Sequence, residues 1–435
     1  MREMKDSGIE WIGEIPKEWN VIKNKYLISV LYSGGTPSAT NGNFYCQEVG
    51  IPFVSISDMS NCSYVVKTAK HITESGIEDK KLRILPIGTI LYSIYATVGA
   101  ISELKVEATI SQAILAIQLN SKIDKSFYKY NLTAMRDYIF SNASGNTQFN
   151  LNAEKVRNFY FVLPTFSAQR RIADYLDDKC GKIDRYIEQQ KQVIEKLKAY
   201  KQSVITEAVT KGLDPTVPMK DSGVEWIGEI PESWVVVKAT RLILSTQNGL
   251  TRRDLEKSNG NIVLKLRNIN SRGEIDYSEI NRIVLSSKEV ETYQLIDGDF
   301  LFVRVNGSRS LVGKCAIYNG ISEIVAYNDH IIRVRLNNFC DKDFFKWFLL
   351  SDVGKKEIDI HTSTSAGQFT ISGDGLRNLN VILPKKEIQR EIVVYLNQKC
   401  SSIDFAIEKK QALIEKLTEY KKSLIYEVVT GKKEV

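Results

Sequence analysis

Residues 4–19 read MKDSGIEWIGEIPKEW, and residues 219–234 read MKDSGVEWIGEIPESW, so that 13 of 16 positions are identical. A second pair is longer, because residues 169–210 align without a gap with residues 389–430 and 22 of 42 positions are identical. The chain of 435 residues therefore consists of two repeats. Each repeat has a near-constant beginning, a divergent middle and a near-constant end, and its roughly 217 residues are enough to bury a core.

The constant ends carry a helical pattern of apolar residues. The spacing of these residues places one narrow apolar seam on each helix, at Ile172, Leu176, Ile183, Ile187, Ile194, Leu197, Val204 and Ala208, and again at Ile392, Leu396, Ile403, Ile407, Ile414, Leu417, Leu424 and Val428. A narrow seam on a long helix needs a second helix to cover it, and each repeat offers one to the other. We therefore predict an antiparallel coiled coil. Gly181 is predicted to break the first helix, leaving a long segment of about 28 residues and about 42 Å.

The divergent middles have a different pattern. Short β-branched or aromatic runs, such as IPFVSI from residue 51 and FLFVRV from residue 300, alternate with loops rich in Gly, Asn and Ser. This pattern indicates strands, and residues 127–140 and 344–358 are each predicted to form one helix. The predicted fold class is α/β, with two α/β domains separated by two long helical regions and related by an internal pseudo-two-fold axis. The predicted domains are 1–165 and 213–385, and the helical regions are 166–212 and 386–435.

The composition is that of an ordinary globular protein. Hydrophobic residues make up 43% and charged residues 26%, and 59 basic against 52 acidic residues give a net charge of +7. This balance alone neither requires nor excludes a nucleic-acid partner. The sequence has no uninterrupted apolar run of the ~18 residues that a membrane span needs, and the first residues lack the pattern of a signal peptide. We expect a cytoplasmic protein without a membrane partner.

The sequence offers no catalytic or metal-binding constellation. The three histidines, His71, His330 and His361, have no metal-ligand spacing, and the six cysteines form no CxxC pair. The stretch GSRSLVGKC at 307–315 has five residues between its glycines and ends in Cys, so it does not fit a phosphate-binding loop. We therefore predict that the chain is not an enzyme and that it binds neither a metal nor a cofactor.

The paired opening motif, the loop SGGTPS at 33–38 and the repeated helix QRRIADYLDDKCGKIDRYIEQQ (169–190) together resemble the specificity subunit of type I restriction-modification systems, the HsdS family. The resemblance extends over essentially the whole chain. It implies two target recognition domains, each of which reads one half of a bipartite, asymmetric DNA target, with helices that set the spacing. It also implies two modification (methyltransferase) subunits that use S-adenosylmethionine, and optional restriction subunits that use ATP and Mg.

The family's helical pattern indicates the residues for helix pairing and subunit docking. They are Ile183, Asp184, Ile187, Ile194, Leu197, Tyr200 and Glu207, and in the second repeat Ile403, Asp404, Ile407, Ile414, Leu417, Tyr420 and Glu427.

Candidates for DNA contact are polar residues in loops that follow predicted strands. In the first domain they are Ser33, Gly35, Thr36, Ser57, Asp58, Tyr95, Thr97 and Gln148. In the second domain they are Arg252, Arg253, Arg267, Asn268, Arg304, Asn306, Ser308, Arg309 and Gln368. Arg donates in pairs to guanine in the major groove, so the second set favours a reader of G·C pairs.

Two other functions remain open at this point. A non-enzymatic coiled-coil adaptor whose two duplicated domains bind proteins would also need paired seams. An enzyme with an unrecognised site is disfavoured, because a duplicated enzyme would normally carry its catalytic residues twice.

Overall fold

A computed structural model describes residues 2–38, 40–46, 49–60, 62–95, 97–141, 151–252, 259–270, 273–365 and 367–435. Their contacts divide the chain into two compact units. Unit 1 comprises Met1–Gln190 and Ala412–Val435, and unit 2 comprises Lys191–Gln411. The four domain boundaries expected from the repeats remain a prediction.

The described part of the first repeat alternates short strands with helices. The strands are β1 (Met4–Asp6), β2 (Glu14–Pro16), β3 (Asn20–Lys23), β4 (Ile28–Ser33), β5 (Tyr45–Cys46), β6 (Ile51–Val54), β7 (Tyr64–Val65), β8 (Lys70–Ile72), β9 (Ile90–Ser93), β10 (Ile101–Leu104), β11 (Thr109–Ile110), β12 (Ile114–Leu119) and β13 (Tyr160–Leu163). The helices are α1 (Ile56–Met59), α2 (Glu74–Lys80), α3 (Lys125–Ser141), α4 (Ala153–Arg157) and α5 (Phe166–Lys211).

The second repeat has a similar order of elements. The strands are β14 (Met219–Asp221), β15 (Glu229–Pro231), β16 (Val235–Lys238), β17 (Ile243–Asn248), β18 (Asn261–Leu264), β19 (Asn281–Ile283), β20 (Phe300–Val303), β21 (Val305–Asn306), β22 (Cys315–Ile317), β23 (Val325–Tyr327), β24 (Ile331–Leu336), β25 (Ser363–Ser365), β26 (Gln368–Thr370) and β27 (Asn380–Leu383). The helices are α6 (Ser287–Tyr293), α7 (Lys342–Leu350), α8 (Asp352–Ile360), α9 (Gly373–Arg377) and α10 (Lys386–Val429).

Unit 1 is built around a five-stranded sheet in the order β4-β12-β9-β10-β7 and a four-stranded sheet in the order β11-β6-β8-β5. All four residues of β9 (ILYS) are buried, and the hydroxyl of Ser93 donates a hydrogen bond to Thr97 O, so its polar group is satisfied. The core also includes Leu424, Ile425, Val428 and Val429 from α10. Burial of each such side chain contributes on the order of 1.5–3 kcal/mol, so α10 is an integral part of this unit.

Unit 2 has sheets in the orders β17-β24-β20-β22, β19-β18-β23 and β21-β26-β25. Its core joins Phe300 and Phe302 of β20 to Phe345 and Phe348 of α7, and the rings of Phe300 and Phe345 meet edge to face at 5.4 Å between centroids. Residues from the last turns of α5, including Val204 and Ala208, lie in the same core. Both units are therefore mixed helix and sheet, as the α/β prediction requires.

Two expectations about the helices were wrong. Helix α5 continues through Gly181 from Phe166 to Lys211, because a glycine inside a helix costs only about 1 kcal/mol and the flanking seam residues offset it. Residues 344–358 do not form one helix, since α7 ends at Leu350 and α8 begins at Asp352. Ser351 separates the two helices, and its hydroxyl accepts a hydrogen bond from the backbone N–H of Gly354 at 3.0 Å as the cap of α8.

The two long helices pair within each unit through the same kind of contact. In unit 1, Lys421 of α10 donates to Asp184 of α5 at 2.6 Å. In unit 2, Lys201 of α5 donates to Asp404 of α10 at 2.6 Å. The sequence number rises along one helix where it falls along the other, so α5 and α10 are antiparallel, as predicted.

Candidate nucleic-acid interface

In each unit, a glycine allows the first strand of the main sheet to end directly against another turn. A Cβ atom on Gly34, after β4, would lie 2.2 Å from the carbonyl oxygen of Ile110. A Cβ atom on Gly249, after β17, would lie 2.2 Å from the carbonyl oxygen of Asn328. No side chain fits at either position, so both glycines serve close approach of backbone to backbone.

Four chain segments meet at this edge in unit 1, and we call them rim 1: residues 33–36, 55–58, 94–97 without residue 96, and 111–113. Backbone hydrogen bonds join them, from Gly35 N to Ile110 O at 3.2 Å and from Ser111 N to Val54 O at 2.9 Å. A third runs from Ile94 N to Ala113 O at 2.9 Å. The ends of β4, β6 and β9 and the turn before β12 are therefore held together.

The corresponding edge of unit 2 is rim 2, formed by residues 248–252, 265–268, 304–306 and 328–330. Equivalent hydrogen bonds run from Leu250 N to Tyr327 O at 2.9 Å and from Asn328 N to Leu264 O at 2.9 Å. Arg304 N donates to His330 O at 2.8 Å. The two rims therefore share one backbone design.

Rim 1 presents hydroxyl groups to solvent. Ser33, Thr36, Ser57, Tyr95 and Thr97 are all exposed, and Gly35 is half-buried beside them. The hydroxyl of Thr36 accepts a hydrogen bond from Gln112 N at 3.3 Å, which fixes the loop. The structure thus brings together most of the candidates expected in the first domain.

Asp58 has a role inside rim 1. Its carboxylate accepts hydrogen bonds from Ser55 N at 2.8 Å and from Ala69 N at 2.9 Å. This capping box orders the turn after β6. Gln148, the last candidate of the first domain, lies outside the described residues.

Rim 2 carries three arginine side chains, in addition to the exposed hydroxyl residue Thr251. Arg304 is partly exposed, and its guanidinium donates to Asp329 O at 3.1 Å. Arg267 is exposed and donates to Asn281 Oδ1 at 2.6 Å. Arg252 is also exposed and donates to Glu289 at 2.9 Å. These contacts hold the planes of the guanidinium groups in defined positions while part of each group remains open to solvent.

The acidic partner of Arg252, Glu289, has a lowered pKa. Hydrogen bonds from the backbone and hydroxyl of Ser286, together with Arg252, lower the pKa of Glu289 to about 2. Glu289 is therefore a carboxylate near neutral pH, so Arg252 keeps an acidic partner. Arg253 lies outside the described residues.

Asn268 is the equivalent of Asp58 and has the same internal role. It is 2% exposed, and its side chain accepts from Lys265 N at 2.9 Å and donates to Asp276 O at 2.8 Å. Its amide is therefore used to shape rim 2 and is not presented at the surface.

The remaining candidates of the second domain lie on or beside the small sheet β21-β26-β25. Asn306 on β21 is opposite Phe369 on β26, and Gln368 adjoins Phe369 in the chain. Ser308 is exposed, and its N–H donates to Asn306 Oδ1 at 2.9 Å. Arg309 donates to Asp359 at 2.5 Å, and its guanidinium carbon lies 5.9 Å from the ring centroid of Phe369. These residues adjoin rim 2, because Arg304 of rim 2 directly precedes β21 in the chain.

Sequence reasoning missed several polar residues at the rims. Gln112 in rim 1 is exposed, and in rim 2 the side chain of His330 is 47% exposed. Lys80 and Arg83 adjoin rim 1, since a Cβ atom on Gly35 would lie 3.2 Å from Lys80 Cβ and Arg83 N donates to the Tyr32 hydroxyl at 3.1 Å. The only signal in the sequence was their place just before an apolar strand, since Gln112 precedes IL (114–115) with Ala113 between them and His330 directly precedes II (331–332).

The predicted pairing and docking residues of the helices separate into two groups. Ile194, Ile403 and Ile414 are buried, whereas Ile183, Ile187, Leu197, Ile407 and Leu417 are half-buried along the seam. Tyr200 and Tyr420, at equivalent positions, are 49% and 53% exposed. Glu207 is exposed, and Glu427 accepts from the Ser423 hydroxyl at 2.7 Å.

The described residues contain no group of three or more His, Cys, Asp or Glu side chains that could hold a metal ion. Of the helices that the structure describes, none is both long and apolar enough to cross a membrane.

Comparison with known proteins agrees with this architecture. The family model of the type I restriction modification DNA specificity domain matches residues 16–199 and 231–416. The chain is 31% identical over 265 residues to the specificity subunit of the type I restriction enzyme StySPI from Salmonella potsdam, and 27% identical over 267 residues to that of EcoKI from Escherichia coli K12. Each alignment covers 60% of this chain and 55% of the relative, so it spans little more than half of those proteins.

A solved structure shares the fold. It comes from work on complex assembly and conformational transition of the type I R-M system, and it has a TM-score of 0.72 at 13% identity. The match covers 96% of this chain and 99% of that one. Because the family model matches two regions that together make up most of the sequence, this chain belongs to the family of type I restriction-modification DNA specificity domain proteins.

Proposed function

We propose that this chain is the DNA specificity subunit of a type I restriction-modification complex. In this function, rim 1 and rim 2 each read one half of a bipartite, asymmetric DNA target. The observation that carries the proposal is that the two rims have one backbone design and different side chains. Two readers with a shared frame and different chemistry suit a target whose two halves differ in sequence.

The side chains at the rims are of the types that contact DNA. Hydroxyl groups such as those of Ser33, Thr36 and Thr97 can donate to or accept from base edges and phosphates. Arg252, Arg267 and Arg304 can donate in pairs to guanine or to phosphate oxygens. We propose these exposed groups, together with Ser57, Tyr95, Asn306, Ser308, Arg309 and Gln368, as the DNA-contacting set, with Asp58 and Asn268 as supports.

We further propose that the two modification subunits dock on the long helices and the grooves beside them. In unit 2, a groove between α5 and α7 is lined by Lys201, Gln202 and Trp347. In unit 1, a groove beside α10 is lined by Lys421, Lys422 and Trp11. Lys201 and Lys421 are equivalent in the repeats, so two copies of one partner could use related contacts that include Tyr200 and Tyr420.

In this function the chain is not itself catalytic. The modification subunits would bring S-adenosylmethionine and transfer methyl groups to adenine N6, and restriction subunits, where present, would bring ATP and Mg. A protein-binding adaptor is not favoured, because the family matched by both repeats is defined by DNA specificity.

Long-read methylation sequencing of the host, with and without this gene, tests the proposal. We expect one bipartite N6-methyladenine motif to disappear when the gene is deleted and to return on complementation. Binding of the purified complex to duplex DNA should also weaken steeply as salt rises, because each phosphate contact releases a counterion. An unchanged methylome from an expressed, assembled complex would refute the proposed function.

A further inference from the structure

The two contacts between the long helices are reciprocal. Asp184 and Asp404 occupy equivalent places in the repeats, as do Lys201 and Lys421, since both pairs differ by 220 positions. In unit 1 the Asp of the first repeat meets the Lys of the second, and in unit 2 the Asp of the second repeat meets the Lys of the first. Each of the two long helices therefore supplies the acidic residue at one contact and the basic residue at the other.

Both contacts have well-defined geometry. Lys421 Nζ lies 2.7 Å and 2.6 Å from the two carboxylate oxygens of Asp184. Lys201 Nζ lies 2.7 Å and 2.6 Å from those of Asp404. The lysine side chains are 28% and 26% exposed, so their alkyl stems are largely covered by protein and the ammonium groups have restricted freedom.

Each contact adjoins the buried seam. Cys180 and Cys400 lie one helical turn before Asp184 and Asp404 and are 4% and 2% exposed. Charged residues that flank an apolar seam decide which register and direction two helices adopt, whereas the seam itself gives most of the stability. The four charged residues therefore lie where they can set the register of the two helices.

The charge pattern discriminates between directions. In a parallel, in-register pair of these helices, equivalent residues would face each other, which would place Asp184 against Asp404 and Lys201 against Lys421. Like charges at such positions repel, and the antiparallel pairing replaces both repulsions with attractions. A slide of one helical turn, about 5.4 Å, would separate both ion pairs at once.

We propose that Asp184, Lys201, Asp404 and Lys421 are positioning residues that fix the direction and register of the helix pair, and thereby the spacer length that the protein accepts between the two halves of its DNA target. The part of this inference that concerns the spacer rests on the proposed function. One helical turn of about 5.4 Å corresponds to between one and two base pairs at about 3.4 Å each. A register error of one turn would therefore be visible as a change in spacer.

The test uses the full-length chain assembled with its modification subunits. The variant D184K/D404K makes both contacts Lys against Lys, and the variant D184K/D404K/K201D/K421D restores opposite charges in reversed order. Methylation is measured on targets whose spacer is the native one or differs from it by one or two base pairs. D178K is the matched control, because Asp178 pairs at 2.8 Å with Lys182 on its own helix.

We expect D184K/D404K to lower the preference for the native spacer over the altered ones by about tenfold, since two exposed ion pairs are replaced by two repulsions. The quadruple variant should regain the preference, and D178K should keep it. A loss of methylation that is equal on every spacer, in complexes that still contain their modification subunits, would show that these residues do not set the spacer and would overturn the inference. An unchanged preference in D184K/D404K would overturn it as well.

A second measurement does not depend on DNA. Urea unfolding midpoints of D184K, K421D and D184K/K421D form a double-mutant cycle. We expect each single variant to unfold at lower urea and the double variant to recover most of the loss. If the wild-type complex methylates no bipartite target, the proposed function fails, but this cycle still tests whether Asp184 and Lys421 interact. Additive effects of the two single substitutions would show that they do not interact and would overturn the inference.

Discussion

The side-chain oxygen of Gln169, in the first turn of α5, accepts a hydrogen bond from the backbone N–H of Asp124 at 2.8 Å. The amide nitrogen of Gln169 donates to the carbonyl oxygens of Lys122 at 3.2 Å and Pro164 at 3.0 Å. Gln389 makes the same contacts in the second repeat, where Asp341 N donates to its oxygen at 2.7 Å. Both glutamines are 1% exposed, so each ties the start of a long helix to the loop before α3 or α7.

Replacement of this glutamine should destabilise its unit. In Gln169→Leu, the three backbone groups lose their partner in a buried place, and each such group costs about 1–3 kcal/mol. We expect a loss of about 2–4 kcal/mol in the free energy of unfolding, measured as a lower urea midpoint by fluorescence. Gln189→Leu is the control, because Gln189 is exposed on the same helix. Equal midpoints for the two variants would contradict the role of Gln169.

The guanidinium of Arg304 should contribute to DNA affinity. We expect Arg304→Ala to weaken binding of the assembled complex to its target by about 1–3 kcal/mol, and Arg304→Lys to recover only part of the loss, because Lys cannot donate a planar pair of hydrogen bonds. Arg241→Ala is the matched control, since Arg241 is exposed just before β17 begins at Ile243, whereas rim 2 lies at the other end of that strand. Titration of labelled duplex at fixed salt measures both. Equal losses for the two positions would exclude a specific role for Arg304.

The glycines at the rims should not tolerate a methyl group. In Gly34→Ala and Gly249→Ala the new Cβ atom would meet a carbonyl oxygen at 2.2 Å, so backbone must move at the place where the four segments join. We expect each change to lower DNA affinity at least about tenfold and to reduce the thermal midpoint, by the cost of overpacking. Gly42→Ala should behave as the wild type, because no described atom other than those of its chain neighbours lies within 4 Å of a Cβ atom at that position. Normal DNA binding by Gly34→Ala and Gly249→Ala would contradict the prediction, because it would show that the backbone of the rims can move without loss of affinity.

The cysteines should differ sharply in reactivity. Burial raises the pKa of the thiols of Cys315 and Cys340 to about 12, whereas Cys62 is exposed. Since the thiolate is the reactive form, brief treatment with iodoacetamide at pH 8 should label Cys62 and leave Cys315 and Cys340 unmodified. Peptide mass spectrometry measures the labelling, and the same treatment in 8 M urea, on the order used to unfold proteins, is the control. Rapid labelling of Cys315 in the folded protein would contradict its buried place.

The same thiols make stability depend on alkaline pH. Their pKa lies above the ordinary value of 9.0 in the folded protein, so the unfolded chain loses these protons first. The two thiols make their full contribution to the free energy of unfolding below about pH 9, and this contribution decreases as the pH rises toward 12. Cys315→Ser and Cys340→Ser variants should therefore unfold with a flatter pH dependence between these values, measured as urea midpoints across that range. If the wild type and the two variants show the same pH dependence, these thiols are not the cause of the loss of stability at alkaline pH.

The sequence predicted the repeats, the helix seam and the α/β middles, because each of these depends on residues close together in the chain. Gly181 misled the prediction of a break, since propensity alone does not record that its neighbours Ile183 and Cys180 lie on a packed face. Ser351 begins a second helix as the N-cap of α8, and the apolar run before it conceals this boundary in the sequence.

The chemistry of the rims was harder to predict. Arg252 and Arg309 were chosen as candidates because they are polar residues in loops that follow predicted strands, but their acidic partners, Glu289 and Asp359, lie 37 and 50 positions away. A count of arginines therefore does not give the number of groups available to DNA. Asp58 and Asn268 were chosen as surface polar residues, and only the fold reveals that each one caps the turn in which it lies.

The packing of α10 into unit 1 also governs the order of events during biosynthesis. Leu424, Ile425, Val428 and Val429 complete a core that otherwise consists of residues from the first 190 positions. We therefore expect a nascent first repeat to expose an unfilled apolar groove, of the kind that chaperones bind, until residues 424–429 have been synthesised and can pack into unit 1.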